Sequence, residues 1–190
     1  MRALLQTADP ARAAALAARL LAAAVRRARA RGAPAPAVIM DIDDTLVHDK
    51  SDGWTANEPV IALFHFAREL GAPVHLITAR AEDPAVRAWT EDQLRALGLA
   101  GYQSLQLLRD ADRDTVVTVS RGKRRLRDRV VRGGGGAPAA LTVGDQWTDA
   151  TEIASDRELD ALDAEFRGPY VVGRCEDGTC RWFLKLRSYS

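Results

Sequence analysis

Two cysteines, three lysines and three histidines are all that this chain of 190 residues holds of the side chains most used for soft-metal, thiol and amine chemistry. Cys175 and Cys180 are too few for a disulfide framework, and they lack the companion ligands of a zinc site. They flank Glu176-Asp177-Gly178-Thr179, a turn-like stretch that would set them opposite each other across a hairpin. Free thiols are the plain reading there, and a disulfide would require an oxidising compartment. His48, His65 and His75 show no ligand spacing and read as structural or surface residues. No run of 18 apolar residues occurs, so no membrane-spanning helix and no membrane partner is expected. A net charge of +1 gives no overall drive toward a polyanion.

What is present is ordinary in amount and uneven in placement. Hydrophobic residues make up 47% and charged residues 28%, the proportions of a globular chain. Arginine crowds two places. The first 36 residues carry seven arginines against Asp9, and Arg121 to Arg132 carries seven basic residues against Asp128. Each run is expected to be a solvated helix face. The second would also suit an anionic substrate such as a nucleotide or a polynucleotide end. Ala13 to Val25 is apolar but interrupted by Arg19, unlike a secretory core. It reads as a folded helix over 10–31 in a cytoplasmic protein, an organellar targeting segment being the other reading.

After the stiff connector Ala33-Pro34-Ala35-Pro36, apolar strand-like runs alternate with helical periodicity. Strands are expected at 37–42, 73–78, 105–108, 140–144 and 169–172. A helix is expected at 58–70, with Asn57 as its cap, Pro59 in its first turn and Gly71 as its stop. Another is expected from Asp83-Pro84 to near Gly98. This alternation predicts an α/β fold of three layers around a mostly parallel, Rossmann-like sheet. The division expected is an N-terminal helix and connector at 1–36, then a core at 37–190. Gly133 to Gly136 is expected to form a loop.

The chemistry-bearing residues stand at the ends of these strands, where such sheets bind ligands. Asp41 and Asp43 end the first, Thr78 ends the second, and Asp145 and Asp149 follow the fourth. Clustered carboxylates repel unless a cation neutralises them, and hard oxygen donors with phosphate nearby suit Mg²⁺. A carboxylate is also a nucleophile able to accept a phosphoryl group.

In order, the chain shows Asp41-Ile42-Asp43-Asp44-Thr45, Thr78, Lys123, and Gly144-Asp145-Gln146-Trp147-Thr148-Asp149. This succession resembles the four motifs of the haloacid dehalogenase (HAD) superfamily over about residues 37–150. The Asp-Ile-Asp-Asp-Thr-Leu start and the Gly-Asp-Gln-Trp-Thr-Asp stretch are similar to the class III (subfamily IIIB) acid phosphatases and the plant vegetative storage protein group. The resemblance implies a Mg²⁺-dependent phosphatase. It assigns Asp41 as nucleophile and Asp43 as acid and base. It places the metal on Asp41, the backbone carbonyl of Asp43, and Asp145. Thr78, the Ala79 N–H and Lys123 would contact phosphate, with the Ile42 N–H as a further donor, and Asp149 would act from behind. One departure concerns the basic residue. That group carries Lys directly after an apolar segment, where this chain has Val119-Ser120. Either Lys123 fills the role from the next turn, or Arg121 or Arg124 does.

Short spacings between the motifs leave no room for an inserted cap domain. The fold expected is therefore capless or nearly so, with Asp52, Gly53 and Trp54 as a flap. The substrate expected is a phosphorylated small molecule or a nucleotide. The alternatives are a phosphatase of nucleic-acid ends and a catalytically silent storage or binding protein on the same scaffold. Trp147 is expected either to stack on substrate or to pack in the core, and Arg80 either to pair with a site carboxylate or to bind phosphate.

Overall fold

The computed structural model describes residues 2–6, 9–50, 53–133, 139–165, 169–176 and 179–186. The strands are β1 (Arg2–Gln6), β2 (Ala37–Met40), β3 (Val47–Lys50), β4 (Gly53–Ala56), β5 (Val74–Ala81), β6 (Ser104–Leu108), β7 (Ala139–Gly144), β8 (Tyr170–Glu176) and β9 (Thr179–Lys185). The helices are α1 (Pro10–Ala30), α2 (Glu58–Glu69), α3 (Pro84–Ala96), α4 (Val116–Gly133) and α5 (Asp156–Glu165).

Seven strands form the main sheet in the order β1-β8-β9-β7-β2-β5-β6. All run the same way except β8, which is antiparallel to both β1 and β9. The sheet is covered on both faces, so its central strands read as continuous apolar runs. Val38 and Met40 of β2 point into a large core lined by α1, α2 and α3, while Ile39 meets Leu126 and Val130 of α4 on the opposite face. The three-layer, mostly parallel α/β expectation holds.

Helix α1 starts at Pro10, with Asp9 capping the Ala11 N–H. Its Ala13, Ala17, Leu21 and Val25 are buried in the same core as β2 and α2. The residues before the connector therefore share a core with those after it. No helix among the described residues is long and apolar enough to cross a membrane.

β1 and α5 add to the expected elements, and three further features depart from them. β9 pairs antiparallel with β8 and inserts between β8 and β7, so β9 and not β8 adjoins the central strands. This pairing places Cys175 opposite Cys180 in register; the cysteine side chains lie outside the described residues, as does most of the Gly133–Gly136 run. Residues 47–56 form a separate hairpin, β3–β4, directly after the Asp41–Thr45 stretch. It carries Gly53 and the exposed Trp54, whereas Asp52 lies outside the described residues. Finally, the Asn57 side chain makes no cap hydrogen bond to α2. Its Nδ2 donates instead to the Thr45 carbonyl at 2.8 Å, pinning the loop that carries Asp43.

Candidate active site

The site lies at the carboxyl edge of the parallel strands. Asp41 is the first residue beyond β2, and its N–H donates to the Val143 carbonyl of β7 at 2.9 Å. That bond continues the ladder and drives the Asp41 side chain into the sheet edge, where the residue is only 5% exposed. Asp44 then turns the chain with a φ of 53°, a left-handed conformation that aspartate tolerates better than most residues.

At the end of β7, Gly144 leads into a single helical turn at Trp147–Asp149. That turn folds Asp149 back under the glycine so closely that a Cβ at position 144 would lie 2.1 Å from an Asp149 carboxylate oxygen. Only glycine fits. The same Asp149 oxygen accepts the Gln146 N–H at 3.0 Å, while Gln146 Nε2 donates to Asp145 Oδ2 at 3.0 Å. Arg127 of α4 braces the turn from outside, donating to the Thr148 and Asp149 carbonyls at 2.7 and 2.8 Å.

Asp41, Asp145 and Asp149 thus converge, each with a carboxylate oxygen within 4.8 Å of the others, and all three are buried. Lys123 faces them from α4. Its Nζ donates to Asp41 Oδ1 at 3.0 Å and also to Asp149 Oδ1. Val116 to Ser120 and Lys123 belong to one helix, so the three-residue displacement of the lysine is about one turn of α4. Of the three candidates for this role, Lys123 is the one whose side chain reaches Asp41. Arg124 points away to Glu152, and Arg121 is exposed.

The electrostatics leave this cluster short of positive charge. Burial pushes the Asp41 carboxyl well above its ordinary value; Lys123 opposes that shift, and Asp149, Asp145 and Asp43 add to it. Burial, with the charge of Asp149 behind it, pushes Asp145 up to about 7. Burial also works against the Lys123 charge, but Asp149 and Asp41 outweigh it and hold the ammonium above its usual range. Three buried carboxylates against one buried ammonium form a hard-oxygen donor set suited to a divalent cation.

Asp43 stands apart from the cluster, its side chain 47% exposed. Its carboxylate accepts Thr78 Oγ1 at 3.0 Å and Arg80 through both Nε and Nη2, the latter at 2.7 Å. Arg80 is itself locked. Its Nη1 donates to Thr90 and its Nη2 to Gln93, both on α3, and Trp89 lies 4.5 Å from the guanidinium carbon. Arg80 therefore pairs with a site carboxylate. Ala79 follows Thr78 on β5, and Arg113 Nε donates to its carbonyl at 2.8 Å.

Trp147 is fully buried, packs edge-on against Phe183 at 5.6 Å, and donates from Nε1 to Asp163; it is a core residue. The basic run of α4 is largely solvent-exposed, as expected of a solvated helix face, and part of its charge is paired locally. Arg124 pairs with Glu152, Arg125 with Asp112, and Arg127 with backbone carbonyls. Arg129 lies about 9 Å farther down the helix than Lys123, away from the sheet edge that holds the site. Arg127 had no separate signal in the sequence, because seven basic residues in one helix look alike until the packing is known.

Several known proteins resemble this chain. The structure of the class C acid phosphatase from Bacillus anthracis matches 94% of this chain and 78% of its own, with a TM-score of 0.59 at 14% identity. A Pnkp1/Rnl/Hen1 complex matches over 60% of this chain at 21% identity and a TM-score of 0.45. The chain spans only 40% of the matched chain in that complex. No curated protein sequence matches significantly. Residues 47–169 match the family model of the HAD superfamily, subfamily IIIB (acid phosphatase), which takes in Thr78, Lys123, Asp145 and Asp149 and begins just after the Asp41–Thr45 stretch. With more than half its length so matched, and with the fold and buried carboxylate cluster described above, the chain belongs to the subfamily IIIB acid phosphatases of the HAD superfamily.

Proposed function

We propose that the protein is a Mg²⁺-dependent phosphomonoester hydrolase that works through an aspartyl-phosphate on Asp41. The observation that carries this reading is a buried Asp41 held by Lys123 beside Asp145 and Asp149, with a second, half-exposed carboxylate on Asp43 two residues away. In the first half-reaction an Asp41 oxygen attacks phosphorus, the bond to the leaving oxygen breaks, and Asp43 delivers a proton to that oxygen. In the second, Asp43 takes a proton from the water that attacks phosphorus, releasing inorganic phosphate and restoring Asp41. With substrate bound, Thr78 Oγ1 turns its proton from Asp43 to a phosphoryl oxygen, the Ala79 N–H donates to another, and Lys123 offsets their charge.

Asp41, Asp145 and the backbone carbonyl of Asp43 would hold the metal, with Asp149 behind them. When bound, the cation supplies charge neutralisation between an anionic nucleophile and an anionic substrate. The substrate we propose is a phosphorylated small molecule or nucleotide; the β3–β4 hairpin directly follows the Asp41–Thr45 stretch, and the exposed Trp89 of α3 lies over Arg80 beside Asp43. A phosphate-release screen with Mg²⁺ and with EDTA tests the assignment. Release that is equal under both conditions, or absent from every phosphomonoester, would overturn it.

Two expectations follow from the geometry. In the metal-free protein, Asp145 keeps its proton to about pH 7, against an ordinary value of 3.8. A carboxyl raised on folding makes the folded form the better proton binder, so it stabilises fully below about pH 4 and loses that contribution as pH rises through about 7. The melting temperature in EDTA should therefore fall between those limits, and Mg²⁺ should restore it by taking the place of the protons. The fall should be shallower in Asp145→Asn, as read by thermal denaturation across the pH range.

The second concerns Arg80. A bidentate guanidinium fixes a carboxylate in both position and orientation. Arg80→Met should free Asp43 and damage proton delivery more than phosphorus attack. Turnover of an alkyl phosphate should drop about 10²-fold, and that of p-nitrophenyl phosphate, whose leaving group needs little protonation, by about tenfold or less. Equal losses on both substrates would show that Arg80 acts elsewhere.

A further inference from the structure

Lys185 is a buried lysine that the mechanism above does not use. It ends β9, in register with Gly144 of β7, and the two chains stay joined one residue on, where the Leu186 N–H donates to the Gly144 carbonyl at 2.8 Å. The side chain reaches across this seam behind the carboxylate cluster. Lys185 is 5% exposed, and its Nζ donates to the Asp145 carbonyl at 2.8 Å and to the Leu186 carbonyl at 3.3 Å. Asp163 of α5 stands 3.7 Å away, and Nζ lies 5.7 Å from the centre of the Trp147 ring. The same Asp163 oxygen accepts the Trp147 Nε1 proton at 3.1 Å.

A buried lysine is rare unless something in the fold requires its charge or its reach. An apolar side chain would fill such a space at lower cost if packing were the only demand. Here the ammonium grips the backbone of the residue that opens the Asp145–Asp149 turn, and Asp163 anchors both that ammonium and the tryptophan in the middle of the turn. Two of the three converging carboxylates ride on this turn.

We infer that Lys185, held by Asp163, is a positioning residue that sets the divalent-cation affinity of the site by fixing the Asp145 backbone. The inference rests on the proposed metal site. It predicts a division of labour between two lysines: Lys123 faces the reacting carboxylates, and Lys185 holds the frame behind them. Residues in the outer shell of metal sites typically change affinity by about 10- to 100-fold when replaced.

The test is calorimetric Mg²⁺ titration of the full-length wild type, Lys185→Met and Asp163→Asn, alongside the Mg²⁺ dependence of phosphate release. Lys185→Met should bind Mg²⁺ about 10- to 100-fold more weakly, while kcat at saturating Mg²⁺ stays within a few-fold of wild type. Asp163→Asn, at a half-exposed position that should tolerate the change, retains the lysine but loses its anchor and should weaken Mg²⁺ by a smaller factor. It keeps the inference testable if Lys185→Met does not fold. Unchanged or tighter Mg²⁺ binding in the folded variants would overturn the inference, as would a fallen kcat at unaltered affinity. A wild type that binds no Mg²⁺ would instead overturn the metal site itself.

Discussion

Asp41→Asn should lower phosphate release by at least about 10⁴-fold, the scale of loss when a covalent nucleophile is removed. The substitution keeps the shape of the side chain and leaves an amide oxygen able to accept the Lys123 ammonium, now 3.0 Å from Asp41 Oδ1. What disappears is the charged oxygen that attacks phosphorus. The fold should survive, because burial disfavours the Asp41 charge in the first place. In EDTA near pH 8 the variant should melt no lower than wild type. Acid-quenched wild type should yield a phosphorylated Asp41 peptide, and Asp41→Asn none. Asp43→Asn sharpens the comparison: with an aryl phosphate it should still form the phosphoenzyme but hydrolyse it slowly, so the adduct accumulates. Turnover by Asp41→Asn within tenfold of wild type would remove Asp41 from the reaction.

The residues of this cluster were legible because strand ends in a parallel sheet are few and each carries its polar residue at a fixed place. An apolar run followed at once by aspartate or threonine marks such an end, so Asp41, Thr78 and Asp145 could be located by periodicity and order. Asp149 was legible as the second carboxylate of the Gly-Asp-Gln-Trp-Thr-Asp stretch after the fourth strand; the collision that restricts position 144 to glycine shows only in the fold. Less could be read where one residue type has several fates. Lys123, Arg124 and Arg127 are neighbours in sequence, yet one meets Asp41, one meets Glu152 and one clamps backbone carbonyls. Helical phase separates them, and phase depends on where α4 begins. Asn57 looked like a helix cap because asparagine before a proline-led helix usually is one. Its Nδ2 donates to the Thr45 carbonyl, which lies in a loop 12 residues away that only tertiary packing brings near. The place of β9 was equally hidden, since nothing local to Thr179–Lys185 says which strand it will join. Lys185 shared that obscurity.

Lys123→Met should be the most damaging replacement outside the nucleophile, in both rate and stability. Lys123 is buried, and so are the two carboxylates it joins. Removing one partner of a buried ion pair leaves the remaining charge unpaired, typically at a cost of about 3–5 kcal/mol. Two carboxylates are stranded here, so in EDTA at pH 8 the loss should sit at the upper end of that range. Its pH dependence follows from the groups left behind. The ammonium, raised above its ordinary 10.5, stays charged across neutral pH, so its own contribution is constant there and fades only in strong alkali. The stranded carboxyls can take up protons as pH falls, so the stability gap between variant and wild type should narrow from pH 8 toward pH 5. Catalysis does not recover with it. A protonated Asp41 is no nucleophile, and the phosphoryl oxygens lose a preorganised cation, so kcat should fall about 10²- to 10³-fold even at saturating Mg²⁺. Lys123→Arg should rescue little, because a planar guanidinium cannot occupy the space of a compact ammonium gripped by two carboxylates. The decisive contrast is Arg124→Met, which breaks only exposed contacts, to Glu152 and Asp128. If that replacement abolished turnover while Lys123→Met retained it, the positive charge opposite Asp41 would have been assigned to the wrong side chain.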